Sequence, residues 1–171
     1  MKSSTFTFDD DGDVPNNLLP LIVYNDAIDA GSGDAAAGFE AMFRQNGWGG
    51  SWRNGIYPFH HYHSNAHEVL GIAAGTAEVR FGGEQGRTLT VRAGDAVLIP
   101  AGVGHKRLSA SDDLLVVGAY PGGQHADLMR EGVEDKAGVR RRVAGVALPE
   151  RDPVGGEDGP MAAHWSAIRR A

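Results

Sequence analysis

What most limits the fold of this chain is the brevity of its apolar runs and the regularity with which glycine interrupts them. Residues 69–74 run into Gly75 and residues 77–81 into Gly82-Gly83. Residues 89–92 precede Ala93-Gly94, and residues 96–99 end at Pro100. Runs of this length bounded by turn residues suit strands rather than helices. The 25 glycines among 171 residues are about twice the share of average usage. An all-β fold is the expectation.

Composition narrows the function classes. A length of 171 residues suits one domain with its own core, without staples. The net charge of -6 and pI near 5.6 argue against a nucleic-acid partner, which needs clustered Lys and Arg. Arg140-Arg141-Arg142 is too short a run to change that and reads as a solvated strand end. The absence of cysteine excludes disulfides, thiolate metal sites and thiol nucleophiles. Mean hydropathy is -0.28, no apolar run approaches the ~20 residues of a membrane span, and the residues after Met1 lack the apolar core of a signal peptide. A cytoplasmic protein without membrane contact is expected.

Along the chain, residues 5–8 alternate as a short strand. The acidic residues Asp9 to Asp13 lack the Gly and Glu positions of a calcium loop and read as solvated. Residues 18–24 form an extended apolar segment broken by Pro20. An amphipathic helix is predicted near 34–45, with Phe39, Met42 and Phe43 on one face and Asn46-Gly47 ending it. Trp48 and Trp52 fall in what reads as a Gly-rich turn. Strands are predicted over 57–63, 69–74, 77–81, 89–92, 96–99 and 114–120, with a hairpin turn at 82–86 that lacks the Lys-Ser/Thr of a phosphate loop. Beyond residue 121 the pattern weakens: 143–148 reads as a strand, and 161–171 as a short helix or frayed tail.

Five of the seven histidines lie between Gly55 and Ser109. Imidazole is the commonest protein metal ligand. Side chains alternate along a strand, so His61 and His63 point one way with Tyr57 and Phe59, and His60 and Tyr62 the other. Glu68 follows after a short turn and can join the pair at little loop entropy, and His105, after the turn at 100–104, is the natural distant candidate. His63 and His67 stand four apart as in a helical zinc pair, but Ser64-Asn65 favours a turn. His67, adjacent to Glu68, faces away from it, as a supporting residue or a surface one. His125 and His164 read as solvated.

These residues resemble two spaced motifs of the cupin superfamily. Gly55, five residues, His61-x-His63, four residues, Glu68, six residues and Gly75 match the first; Gly94, five residues, Pro100-x-Gly102, two residues and His105 match the second. Ser109 stands where the pattern has Asn. Residues 46–71, Gly102 to Lys106 and Gly118 to Pro121 further resemble a YjlB-type subfamily of bacterial cupins, a likeness that brings no established reaction. The resemblance implies a double-stranded β-helix, or jelly roll. It would comprise a barrel over 55–120, a 1–54 extension bearing one helix, and an irregular 121–171 extension. It also implies one divalent metal, iron, manganese, nickel or zinc, held by His61, His63, Glu68 and His105.

Three neutral imidazoles and one carboxylate would leave such a metal with net charge near +1. Six-coordination would keep two positions open for a substrate or dioxygen, whereas tetrahedral zinc would close the site. The implied activity is metal-dependent chemistry, dioxygenase-like or Lewis-acid, on a small oxygen-rich molecule. Tyr57 and Phe59 would line the pocket, and Arg53 would pair with a substrate carboxylate. The alternative is a non-catalytic barrel that binds a metal or small molecule. A homodimer is expected.

Overall fold

The computed structural model describes residues 1–169. In chain order these form β1 (Lys2–Phe8), β2 (Asn17–Asn25), α1 (Ala35–Gln45), β3 (Trp48–Asn54), β4 (His61–Tyr62), β5 (Glu68–Ala74) and β6 (Thr76–Phe81). There follow β7 (Arg87–Arg92), β8 (Ala96–Ile99), β9 (His105–Ala110), β10 (Leu115–Pro121), β11 (Met129–Arg130), α2 (Lys136–Gly145) and α3 (Pro160–Arg169). One sheet has the order β1-β2-β8-β5-β10-β3, the other β11-β4-β9-β6-β7, and the pairings are antiparallel. The fold is an all-β jelly roll with helices added outside it.

Alternation decides what each sheet buries. On β2, Leu21 and Val23 join Leu70 and Ile72 of β5, Val97 and Ile99 of β8 and Val79, Phe81 and Val91 of the second sheet in the core between the sheets. Ile22, Tyr24, Val69, Leu98 and Val117 face the other way and are covered by Phe39 and Phe43 of α1 and Met161 and Trp165 of α3. Strands β5 and β8 are therefore buried on both faces, which is why they read as continuous apolar runs rather than alternating ones.

Helix α1 begins where Asp34 caps the Ala37 N–H at 3.1 Å, filling one of the donors a helix start leaves open. It sits close because β5 carries Gly71 beneath it: a Cβ there would lie 2.5 Å from the Phe39 ring.

Four regions depart from the sequence expectation. Residues 48–54 form β3 rather than a turn, paired with β10. The partner strand makes room for Trp52: a Cβ on Gly118, opposite it in β10, would lie 2.2 Å from the Trp52 ring. The strand expected over 57–63 is ordered as β only at His61–Tyr62, because Pro58 has no N–H for a ladder and the Tyr57 carbonyl accepts from the Arg107 N–H instead. Residues 105–110, assigned to no strand from sequence, form β9.

The C-terminal extension is not irregular throughout. Arg140 to Arg142 and the start of the expected 143–148 strand lie in α2, capped by Asp135. Helix α3 takes the expected helix at 161–171 as far as Arg169; its last two residues lie outside the described ones. This tail is fastened through Asp152, which is fully buried. Its carboxylate accepts from the Tyr24 hydroxyl at 2.7 Å and from the backbone N–H groups of Val154, Gly155 and Met161 at 2.8 to 2.9 Å. Among the described residues, no helix is long and apolar enough to cross a membrane.

Candidate metal centre

The interior face of β5 that carries Leu70 and Ile72 also carries Glu68 at its start, by the same two-residue period. Glu68 is 2% exposed. Its Oε2 lies 3.1 Å from His63 Nε2 and 3.3 Å from His105 Nε2. His105 opens β9, opposite His61 of β4 in the antiparallel ladder. One ligand atom each from His63, Glu68 and His105 lie within 4.8 Å of one another, a group able to hold a metal ion. His61 stands outside that set of ligand atoms but lies against it: its ring centroid is 3.9 Å from that of His105, with the two planes tilted by 54°.

The donor chemistry fits a metal. The Nδ1 of His61 bonds the Phe59 carbonyl at 3.0 Å, that of His105 bonds the Val103 carbonyl at 3.1 Å, and that of His63 bonds the Asp127 carbonyl. A carbonyl can only accept, so each Nδ1 carries the hydrogen, and Nε2 is the nitrogen left for coordination. Backbone partners of this kind fix tautomer and ring direction in metal sites.

Electrostatics follow from burial. His61 is pushed down to about 3 by burial and by the adjacent His105, and so stays a neutral imidazole. Burial also acts to lower His63, but the Glu68 carboxylate and the Asp127 carbonyl outweigh it and raise the group to about 9. Burial would raise Glu68, yet His63 and His105 hold it well below the usual carboxylate range. Without a metal, the carboxylate is thus balanced by a protonated His63 that donates from both nitrogens.

Further support comes from residues outside the four-residue ligand set. Tyr120 on β10 donates to Glu68 Oε1 at 2.9 Å and accepts from Trp52 Nε1 at 2.9 Å, so Trp52 serves the site through a hydroxyl. Burial first, and then the Glu68 charge, drive the Tyr120 phenol upward, so it stays a donor. Asp127 is positioned by Ser64, whose N–H reaches Oδ1 at 2.7 Å and whose hydroxyl bonds Oδ2. This links the segment after β10 to His63. Strand β9 was the missing signal for Arg107, which shares a face with His105 two residues away.

The centre opens into a cavity of about 430 Å³. Of the residues expected around it, Tyr57 lines the wall at 52% exposure and stacks on Phe59 with centroids 4.9 Å apart. Phe59 carries the Arg130 guanidinium 3.8 Å from its ring centroid. Arg53 also lines the wall, but its guanidinium is engaged by both carboxylate oxygens of Glu40, at 2.7 and 3.0 Å. Trp48 is buried in the core and donates to the Arg151 carbonyl.

The other histidines are turned elsewhere. His60 points away from the centre and bonds Glu84 at 2.9 Å. His67 is buried; its Nδ1 accepts from the Ala101 N–H and its ring packs on Trp165. His125 and His164 are exposed.

The jelly roll and its two motifs define a cupin, and residues 53–117 match the family described as Cupin domain. The chain belongs to the cupin superfamily and, within it, is 41% identical over 166 residues to Uncharacterized protein YjlB of Bacillus subtilis (strain 168), covering 96% of this chain and 97% of that one. Among solved structures it is similar to acireductone dioxygenase from Bacillus anthracis, with 14% identity, TM-score 0.40, and 55% of this chain and 63% of that one covered. It is also similar to an oxalate decarboxylase, with 16% identity, TM-score 0.39, and coverage of 69% and 29%.

Proposed function

We propose that this cupin binds one divalent metal, iron, manganese, nickel or zinc, through His61, His63, Glu68 and His105. We further propose that it is a metal-dependent enzyme acting on a small oxygen-rich organic molecule. The observation that carries the reading is the set of three Nδ1–H to carbonyl bonds, which leaves three Nε2 atoms for coordination around a buried carboxylate at the base of a cavity. Fixing three rings in this way costs conformational freedom that packing alone does not require. When bound, the metal supplies Lewis-acid polarisation and, if redox-active, dioxygenase-like electron transfer.

The chain's own residues do the rest. Tyr120 holds Glu68 by one oxygen, so that the other is presented to the centre. Ile56 and Leu70, both buried in the wall, keep bulk water from the apolar side of a bound molecule. Tyr57 at the mouth offers a ring for stacking. A homodimer belongs to the same reading, supported by the outer strand β1, whose residues 2–5 are exposed on both faces.

Elemental analysis of the purified protein, followed by oxygen uptake and product analysis on a panel of diketones, phenols and hydroxy acids, tests the proposal. Iron or manganese with metal-dependent turnover is expected. Stoichiometric zinc that no small molecule perturbs would instead make this a non-catalytic metal barrel.

A further inference from the structure

The cavity wall holds an arginine with no carboxylate at salt-bridge distance among the described residues. Besides the histidines of the metal centre, four charged side chains line the cavity: Arg53, Glu68, Arg107 and Asp127. Three of them are committed. Arg53 is forked onto Glu40, Glu68 faces the histidines, and Asp127 is taken up by Ser64. Arg107 is half-buried, and among the described residues no carboxylate is paired with its guanidinium. It stands two residues beyond His105 on the same face of β9, so their Cβ atoms are separated by roughly 7 Å along the strand. The apolar side chains of Ile56 and Leu70 line the same cavity.

We propose that Arg107 is the specificity-determining residue of the site and that the substrate is a small organic acid. Its oxygen-bearing head meets the metal centre, its apolar body lies along Ile56 and Leu70, and its carboxylate is held by Arg107. This rests on the metal-enzyme reading above and narrows its substrate class. A planar guanidinium offers two parallel donors to a carboxylate, and in a partly desolvated wall such a pair discriminates strongly against a neutral isostere that leaves the charge unpaired. The arginine expected from sequence to do this, Arg53, lacks a free fork.

The test uses the full chain loaded with the metal it takes up, titrated calorimetrically with 3,4-dihydroxybenzoate and with its neutral isostere 3,4-dihydroxybenzamide. The two share the metal-binding diol and differ in the charge presented to the far wall. The wild-type protein is expected to bind the acid about 10-fold or more tightly than the amide. Arg107→Gln is expected to bind the two alike, with metal content and amide affinity unchanged, and Arg107→Lys to retain part of the preference. Equal affinity of the wild-type protein for acid and amide, including no measurable affinity for either, overturns the inference and leaves the metal assignment standing; so does an acid preference that survives in Arg107→Gln. The wild-type comparison holds even if a variant folds poorly. Failure of the protein to take up any metal overturns the reading of the site and this inference with it.

Discussion

Tyr120 and Glu68 sit on neighbouring strands, β10 and β5, and the phenol of one donates to the carboxylate of the other at 2.9 Å inside the barrel. The bond occupies Oε1 and leaves Oε2 toward His63 and His105, so it sets the direction of a buried charge. Tyr120→Phe would strand that oxygen and remove the acceptor of the Trp52 N–H. Unfolding by denaturant is expected to show a loss of about 1–3 kcal/mol, and competition with a chelator a metal affinity lower by about 10- to 100-fold. Lost stability with unchanged metal affinity would make Tyr120 a packing residue only.

Single replacement of His63, Glu68 or His105 by alanine is expected to reduce metal content from about one equivalent to near zero, since each removes one of few ligands around one ion. His61→Ala is the informative member of the series. Its ring is in contact with His105, but its ligand atom is outside the group of three. Loss of metal from this variant is the expected result, and a full equivalent retained would define a three-residue site. His60→Ala should keep its metal, because His60 is bonded to Glu84 on the other side of the strand.

Metal uptake should depend on pH through His63. In the metal-free protein this group is raised to about 9, so at neutral pH a metal must displace its Nε2 proton. Titration in two buffers of different ionisation enthalpy should reveal close to one proton released at pH 7 from this residue and little above pH 9. Apparent affinity should climb with pH and level off there. The stability of the metal-free chain runs the other way. A folded value above the unfolded 6.5 stabilises fully below pH 6.5, and that contribution is lost as pH rises through 9. The depressed Glu68 adds a contribution present above its unfolded value near 4.5 and lost as pH falls through its lower folded one.

Much of this was legible in the sequence because its signals are local. Glycine-bounded runs marked β5, β6, β7 and β8, and the two-residue period placed His61 and His63 together and His60 apart. What escaped depended on partners distant in sequence. Strand β3 is disguised by Gly49 and Gly50, which pack against the backbone of Gly123, a contact that exists only once β10 lies beside it. Strand β9 is mostly polar and half solvated, so His105 was found by its motif while Arg107, two residues on, was not. Helix α2 owes little to amphipathic pattern and much to its Asp135 cap, with Val139 and Val143 as its only large buried side chains. Arg53 looked suited to a ligand carboxylate because nothing in sequence reveals that Glu40, on α1, already holds it.

The fastening of the C-terminal extension makes a prediction independent of the metal. Asp152 collects one hydroxyl and three backbone N–H groups in a fully buried position, and the segment it organises leads into α3, whose Trp165 donates to the Pro20 carbonyl and packs on His67. Tyr24→Phe removes one of the four donors and leaves the carboxylate three partners; a loss of about 1–2 kcal/mol is expected. Asp152→Ala leaves all four donors without their acceptor in a dry interior and should cost about 3–5 kcal/mol, with Trp165 fluorescence shifting to the red as α3 loosens. The metal centre lies on the opposite face of β5, so both variants should still load metal at temperatures where they remain folded. Calorimetry paired with elemental analysis separates the two effects, and an Asp152→Ala protein as stable as the wild type would show that the tail is held by its apolar contacts alone.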